Sequence, residues 1–233
     1  MWNDKKNGWE ENGMFIPAFD WLAWYAAPTQ LGPSRLDFRP QDLALALANA
    51  RCNHGRAPAR SADMRSLNSF LGVPNAAPEN LRSGQTKDAE DLLEEVRKQV
   101  RPEAPSRLEC YFVSASHDVA QIRLNELRGE RGIFRCRILK DGYVFPGDIR
   151  LFQRVCDSQR REDAERYWVG ADLETTDPSH VEYLVGGSLY FPDWETIPDL
   201  DLGKIIDYQS LREFCRENNL SMDGWFGPNG PIR

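Results

Sequence analysis

The spacing of hydrophobic positions changes along the chain, and each change marks an element. The clearest run is Thr86 to Val100, where Ala89, Leu92, Leu93, Val96 and Val100 recur at helical intervals and form one apolar stripe. Thr86 and Asp88 supply capping and dipole chemistry at its start, Lys98 and Arg101 suit its end, and Pro102 and Pro105 stop it. Leu108 to Val113 is aromatic and β-branched and reads as a strand. Asp118 to Arg128 carries Val119, Ile122 and Leu127 on one face and reads as a helix. Ile133 to Leu139 alternates polar and apolar positions, the pattern of a strand with one buried face. Asp141-Gly142 signals a turn before a short return strand from Tyr143 to Phe145. Gln159 to Trp168 reads as a charged surface helix. Val181 to Val185 and Ser188 to Phe191 form a pair of strands around Gly186-Gly187, and Tyr208 to Asn219 is a final short helix.

The first hundred residues are less periodic. Phe15, Phe19, Trp21, Leu22, Trp24 and Tyr25 make a dense apolar run between Gly13 and Pro28, read as a short helix or turn leading into a strand. Gln41 to Arg51, behind Pro40, is a short helix of good intrinsic propensity. From residue 53 to 84, Gly and Pro break every period, and Arg56, Arg60, Arg65 and Arg82 outnumber the acids, so this stretch is a long loop, mobile without a partner. The strands of the second half are not separated by regular crossover helices. The expectation is therefore α+β with a largely antiparallel sheet. It forms a single domain over 1–233, with a helical and loop part at 1–100 and the sheet core at 101–233.

Composition narrows the picture. The 233 residues are 41% hydrophobic with seven Trp, which excludes wholesale disorder. No stretch approaches the ~18 apolar residues of a membrane span, so a soluble protein without a membrane partner is expected. The start, Met1 to Lys6, lacks the apolar core of a secretion signal, which points to the cytoplasm, of this cell or of one it is delivered into. A net charge of −7 argues against a global electrostatic grip on nucleic acid. Five widely spaced Cys without a CxxC pair favour reduced thiols over disulfides or a zinc site, and three His make a metal cluster improbable.

Dinucleotide-binding GxGxxG, P-loop, GxSxG and HExxH motifs are all absent. Four local features remain. Pro105-Ser106-Arg107 precedes a strand that ends in Ser114-Ala115-Ser116. The serines offer hydroxyls, and Arg107 a fork for phosphate or carboxylate, while Ser116 also reads as a helix cap. Gly147-Asp148 reads most simply as a turn. Tyr167-Trp168 near a helix end reads as packing. Glu182, next to Tyr183-Leu184-Val185, is an acid at the start of an apolar strand, read alone as an edge glutamate.

Taken in order, Pro-Ser-Arg-Leu before a strand, Gly-Asp after the next strands, Tyr-Trp-x-Gly and Glu-Tyr-Leu-Val resemble the bacterial ADP-ribosyltransferase-like domains, relatives of the diphtheria- and cholera-toxin fold. The resemblance spans roughly Arg101 to Phe191. It implies a split, twisted, mostly antiparallel β-sandwich with helices concentrated in the N-terminal half and NAD, as substrate, in a cleft between two small sheets. Glu182 matches the catalytic glutamate that contacts the nicotinamide ribose. Ser114 or Ser116 would line the cleft. The family's first-strand Arg or His has no counterpart in Trp24 to Pro28, and Arg35 and Arg107 are the substitutes for it. Trp24 falls on that first strand, and Tyr25, Tyr111 or Trp168 would stack on nicotinamide. His180 stands two positions before Glu182 where arginine-directed members carry Glu, so arginine is not the implied acceptor.

Glycosidic chemistry follows from that resemblance. Nicotinamide leaves, charge builds on the ribose ring, and the Glu182 carboxylate stabilises it. The acceptor is an unknown macromolecule contacted by the Arg-containing loop 53–84. Strand alternation sets Glu182 and Leu184 opposite Tyr183 and Val185. If the latter face the core, Glu182 looks into the cleft, partly exposed, and Glu182→Gln spares the fold. Two other readings stay open: a catalytically inactive interaction module of the same fold, and an NAD-independent nuclease-type toxin using His117 or His180.

Overall fold

A computed structural model describes residues 1–28, 45–58, 84–126, 131–171 and 173–198. The expected helix at Tyr208 to Asn219, Arg35 and residues 59–83 of the expected 53–84 loop lie outside these residues; in the described start of that loop, Arg56–Pro58 is strand, paired with Ser188–Tyr190. Among the described residues nine strands run in chain order: β1 (Trp2–Asn3), β2 (Gly8–Glu11), β3 (Met14–Pro28), β4 (Arg56–Pro58), β5 (Tyr111–Val113), β6 (Arg131–Leu139), β7 (Val144–Asp148), β8 (Val181–Val185) and β9 (Ser188–Tyr190). The helices are α1 (Leu45–Cys52), α2 (Gly84–Val100), α3 (His117–Glu126), α4 (Ile149–Ser158) and α5 (Arg161–Val169).

The strands form a six-stranded sheet, β1-β2-β3-β6-β9-β4, and a three-stranded sheet, β5-β8-β7. Every described pairing is antiparallel. The class is thus α+β, as the pattern predicts. The helices, however, are spread along the chain, and the N-terminal part contributes the longest strand. The run from Phe15 to Tyr25, read as a helix or turn, is continuous strand from Met14 to Pro28, with a register shift between Ala18 and Leu22 where it pairs with β6. Its period is hidden because both faces carry apolar residues, including the exposed Phe15 and Leu22. Ala23, Tyr25 and Ala27 enter the main core, whereas Ala18 joins Trp9, Leu139 and Tyr190 in a separate cluster.

The three-stranded sheet is a middle layer. Tyr111, Val113 and Val185 face the six-stranded sheet and share a core with Tyr25, Cys136, Ile138 and Leu189. On its other face Phe145 and Leu184 pack under α2, α4 and α5 with Leu93, Val96, Leu151, Val155, Tyr167 and Trp168. β8, the strand of Glu182, is central in this sheet and not an edge.

β8 and β9 are both present, yet they do not pair with each other; they belong to different sheets. The chain crosses between them at Gly186-Gly187, where Gly187 takes φ 99°. Asp141 secures the crossing by accepting from Ser188 N at 2.6 Å. Gly142 lies so close that a Cβ there would run into the Gly186 carbonyl and come 2.7 Å from Gly187 N.

Candidate functional site

The site is built at one end of the β5–β8–β7 ladder. Val113 pairs with Tyr183 and Gly147 with Glu182. Ser114 follows Val113 and Glu182 precedes Tyr183, so the two stand at the same end of the ladder. There the backbone of Ser114 leaves β8 and exchanges both hydrogen bonds with Trp24 of β3, at 2.9 Å each way. Two residues on, the Ser116 hydroxyl accepts from Val119 N at 3.2 Å and caps α3, as predicted from sequence. His117, the first residue of that helix, packs edge-on against Trp24 with ring centroids 5.3 Å apart.

Glu182 faces the helical layer, not the space between the two sheets, because Tyr183 and Val185 take the inter-sheet face. It is 7% exposed. Its Oε1 accepts from Arg107 Nη1 and from the Tyr167 hydroxyl, the latter at 2.8 Å. Arg107, 3% exposed, also donates from Nε to Glu90 Oε2 at 3.1 Å and from Nη1 to Tyr167 Oη at 2.7 Å. Its guanidinium lies 4.8 Å from the Phe112 ring centroid and 4.2 Å from that of Phe152. Oε2 of Glu182 accepts no hydrogen bond among the described residues. The carboxylate is therefore gripped through one oxygen, while the other makes no hydrogen bond among the described residues.

The electrostatics follow from burial. Desolvation alone would lower the Arg107 pKa, but Glu182 and Glu90 outweigh it and hold the guanidinium well above its usual value. Burial pushes the Tyr167 phenol well up; Arg107 opposes this and Glu182 reinforces it. Burial likewise raises the Cys110 thiol. Two carboxylates thus share one fixed cation inside an aromatic cage.

Of the residues singled out from sequence, Glu182 and Arg107 meet directly, Ser114 stands at their strand end, and Trp24 and Ser116 adjoin it. Tyr25 and Trp168 do not join them. Tyr25 is fully buried between Tyr111 and Phe191. Trp168 is fully buried with its indole N–H donating to the Leu93 carbonyl at 2.7 Å. Both fill cores and present no face to a ligand. Tyr111 is buried too, its hydroxyl donating to the Pro58 carbonyl at 2.8 Å. Glu182 is likewise less exposed than alternation suggests, since both faces of β8 are packed, and a Gln there removes one of the two anions bound to Arg107.

Sequence reasoning missed Glu90 and Tyr167 as members of the site. Glu90 gave a signal, because it stands three residues before Leu93 and so interrupts the apolar stripe of α2. Tyr167 is held in the last turn of α5, which Gly170 closes in the left-handed region at φ 71°.

Gly147-Asp148 is the end of β7 and not a turn. Asp148 caps α4 through Arg150 N at 2.9 Å and accepts from Thr176 Oγ1 at 2.9 Å. Beside it a cavity of about 230 Å³ is lined by Asp148, Arg150, Leu151, Arg154 and Thr175. The two imidazoles proposed for nuclease chemistry sit on separate elements, His180 ending a 3-10 turn with Nδ1 3.4 Å from Ser179 Oγ. No cluster of His, Cys, Asp and Glu among the described residues has the arrangement to hold a metal, and none of their helices is long and apolar enough to cross a membrane.

Residues 75–197 match the model of a family described as "Protein of unknown function (DUF2441)". The chain belongs to this family. The DUF2441 match covers more than half of the chain and contains Glu90, Arg107, Ser114, Tyr167 and Glu182, so the whole buried network lies inside the family segment. It excludes β1 to β4 and α1. No curated protein matches the chain.

Proposed function

We propose that this protein is an ADP-ribosyltransferase-like enzyme that cleaves the nicotinamide–ribose bond of NAD and passes ADP-ribose to a macromolecular acceptor. The observation that carries the reading is the Glu182 carboxylate, anchored through Oε1 by Arg107 and Tyr167 with Oε2 unpaired among the described residues. A buried carboxylate with one fixed oxygen and one without a hydrogen-bond partner among the described residues is suited to receive a ribose hydroxyl and to face a developing positive charge. Two antiparallel sheets joined at the Trp24–Ser114 bridge, and a glutamate on a late strand beside a serine-bearing strand end, also support the reading, although Glu182 faces the helical layer and not the space between the sheets.

In the reaction, the C–N bond to nicotinamide breaks and its electron pair leaves with nicotinamide. The acceptor nucleophile bonds to the same ribose carbon and gives up its proton. Glu182 holds the ribose and offsets the charge between those events. Arg107 keeps the carboxylate oriented. Ser114 supplies a polar rim at the strand end.

The test is release of labelled nicotinamide from NAD with and without cell extract, followed by mass spectrometry of the extract for ADP-ribose. Wild type should release nicotinamide, and Glu182→Gln should lose ~10² or more in rate. Full turnover in the Gln variant sinks the assignment.

A second reading, a non-catalytic module of the same fold, is favoured by one observation: the Arg107–Glu182 ion pair already satisfies one carboxylate oxygen in a buried site. NAD or partner binding without nicotinamide release distinguishes it.

A further inference from the structure

We infer that Tyr167 is the positioning residue for the Glu182 carboxylate and that Gly147 provides the space in which its hydroxyl acts; this rests on Glu182 being the carboxylate that receives the ribose. The Tyr167 hydroxyl accepts from Arg107 Nη1 at 2.7 Å and donates to Glu182 Oε1 at 2.8 Å. A phenol with one donor and one acceptor partner has its O–H direction fixed. The same oxygen of Glu182 receives Arg107. Two donors converging on Oε1 from different elements, the loop before β5 and helix α5, fix the plane of the carboxylate and hence where Oε2 points.

The surroundings are shaped for that hydroxyl. The Tyr167 ring is fully buried and held by Trp168 and Phe145, with centroids 5.0 and 5.8 Å away. Gly147 is the cross-strand partner of Glu182. A Cβ at Gly147 would run into the Tyr167 hydroxyl and come 2.6 Å from its Cζ. The position opposite Glu182 is thus left without a side chain at the place where the hydroxyl passes. Packing alone asks only for a ring at 167, and a phenylalanine would supply one. The hydroxyl, its two partners and the bare glycine together belong to the carboxylate. The phenol also stays protonated, because burial pushes its pKa well up.

The experiment compares wild type, Tyr167→Phe and Gly147→Ala in nicotinamide release from NAD, and in crystal structures of the first two. Tyr167→Phe should lower kcat about tenfold or more with KM unchanged, the split expected of a positioning group and not of a packing one. Its crystal structure should show the Glu182 carboxylate turned about its Cγ–Cδ bond. Gly147→Ala, which keeps the hydroxyl but displaces it, should reproduce the kcat loss, and it serves where Tyr167→Phe does not fold. An unchanged kcat in either folded variant, or an unmoved carboxylate in Tyr167→Phe, overturns the inference. Wild type without nicotinamide release overturns the NAD reading instead, while the pair of crystal structures still decides whether Tyr167 sets the carboxylate.

Discussion

Trp24 and Ser114 exchange both of their backbone hydrogen bonds, and this bridge ties the six-stranded sheet to the three-stranded one at the end of the ladder where Glu182 stands. Strand β3 therefore fixes the place at which β5 leaves β8, so the strand end that carries Glu182 depends on a residue more than a hundred and fifty positions earlier.

Arg107→Leu should be among the most damaging single changes in the family segment. It removes the guanidinium that pairs with the buried Glu90 and Glu182, a loss of about 3–5 kcal/mol. For a chain of this size that lowers Tm by roughly 10 °C or more. Glu182→Gln should cost less, because Arg107 keeps Glu90. Thermal melts of both variants check the order, and an Arg107→Leu protein as stable as wild type refutes the burial argument.

Asp148 gives a pH signature. Burial would raise its pKa, but hydrogen bonds from the Arg150 side chain and backbone and from Thr176 hold it below the usual carboxylate value. A depressed folded pKa means that the stabilisation is fully present above the unfolded value, about 3.9, and is lost as pH falls through the lower folded one. Wild type should therefore exceed Asp148→Asn in stability at pH 6, and the gap should close on acidification below about pH 4. A gap that is constant from neutral to strongly acidic pH contradicts this.

Cys110 and Cys136 should resist thiol reagents in the folded protein. Both are fully enclosed, and burial raises both thiols, for Cys110 well above its usual value. The thiolate is the reactive form, so labelling at pH 8 should wait for denaturant. Peptide mapping after a short exposure to an alkylating agent reads this directly, and rapid modification of either residue in native protein counts against the burial.

Gly142→Ala should disrupt the crossing from β8 to β9. The added methyl runs into the Gly186 carbonyl, and backbone on both sides cannot yield cheaply. We expect loss of soluble protein or a large fall in Tm, whereas Gly13→Ala, with open space around it but a positive φ of 77°, should show only the smaller cost of its backbone conformation. Equal behaviour of the two variants would remove the steric explanation.

Local patterns were read well where one face of an element meets water. The α2 stripe from Ala89 to Val96 and the alternation in β6 were legible for that reason. β3 was not, because Tyr25 and Ala23 enter one core while Trp24 packs on His117 across the sheet, leaving no polar face to mark the period. β8 and β9 were found as strands but their partners were not, since a Gly-Gly step signals a change of direction and not which sheet receives each strand. At the site, Glu182 and Arg107 stood out as chemical types. Their pairing across 75 positions, and the phenol between them, depend on how α5 lies over the three-stranded sheet, which no local pattern encodes.

The placement of β9 also bears on how the chain matures during synthesis. β9 lies between β6 and β4, and the main core draws Leu189, Phe191 and Ile197 together with Ala23 and Tyr25. A growing chain that has released β3 and β6 still lacks the strand that joins them to β4. Until about residue 190 leaves the ribosome, the edge of β6 that β9 will cover stays available for other strands. Such late closure through distant contacts slows folding and exposes the nascent chain to misassociation.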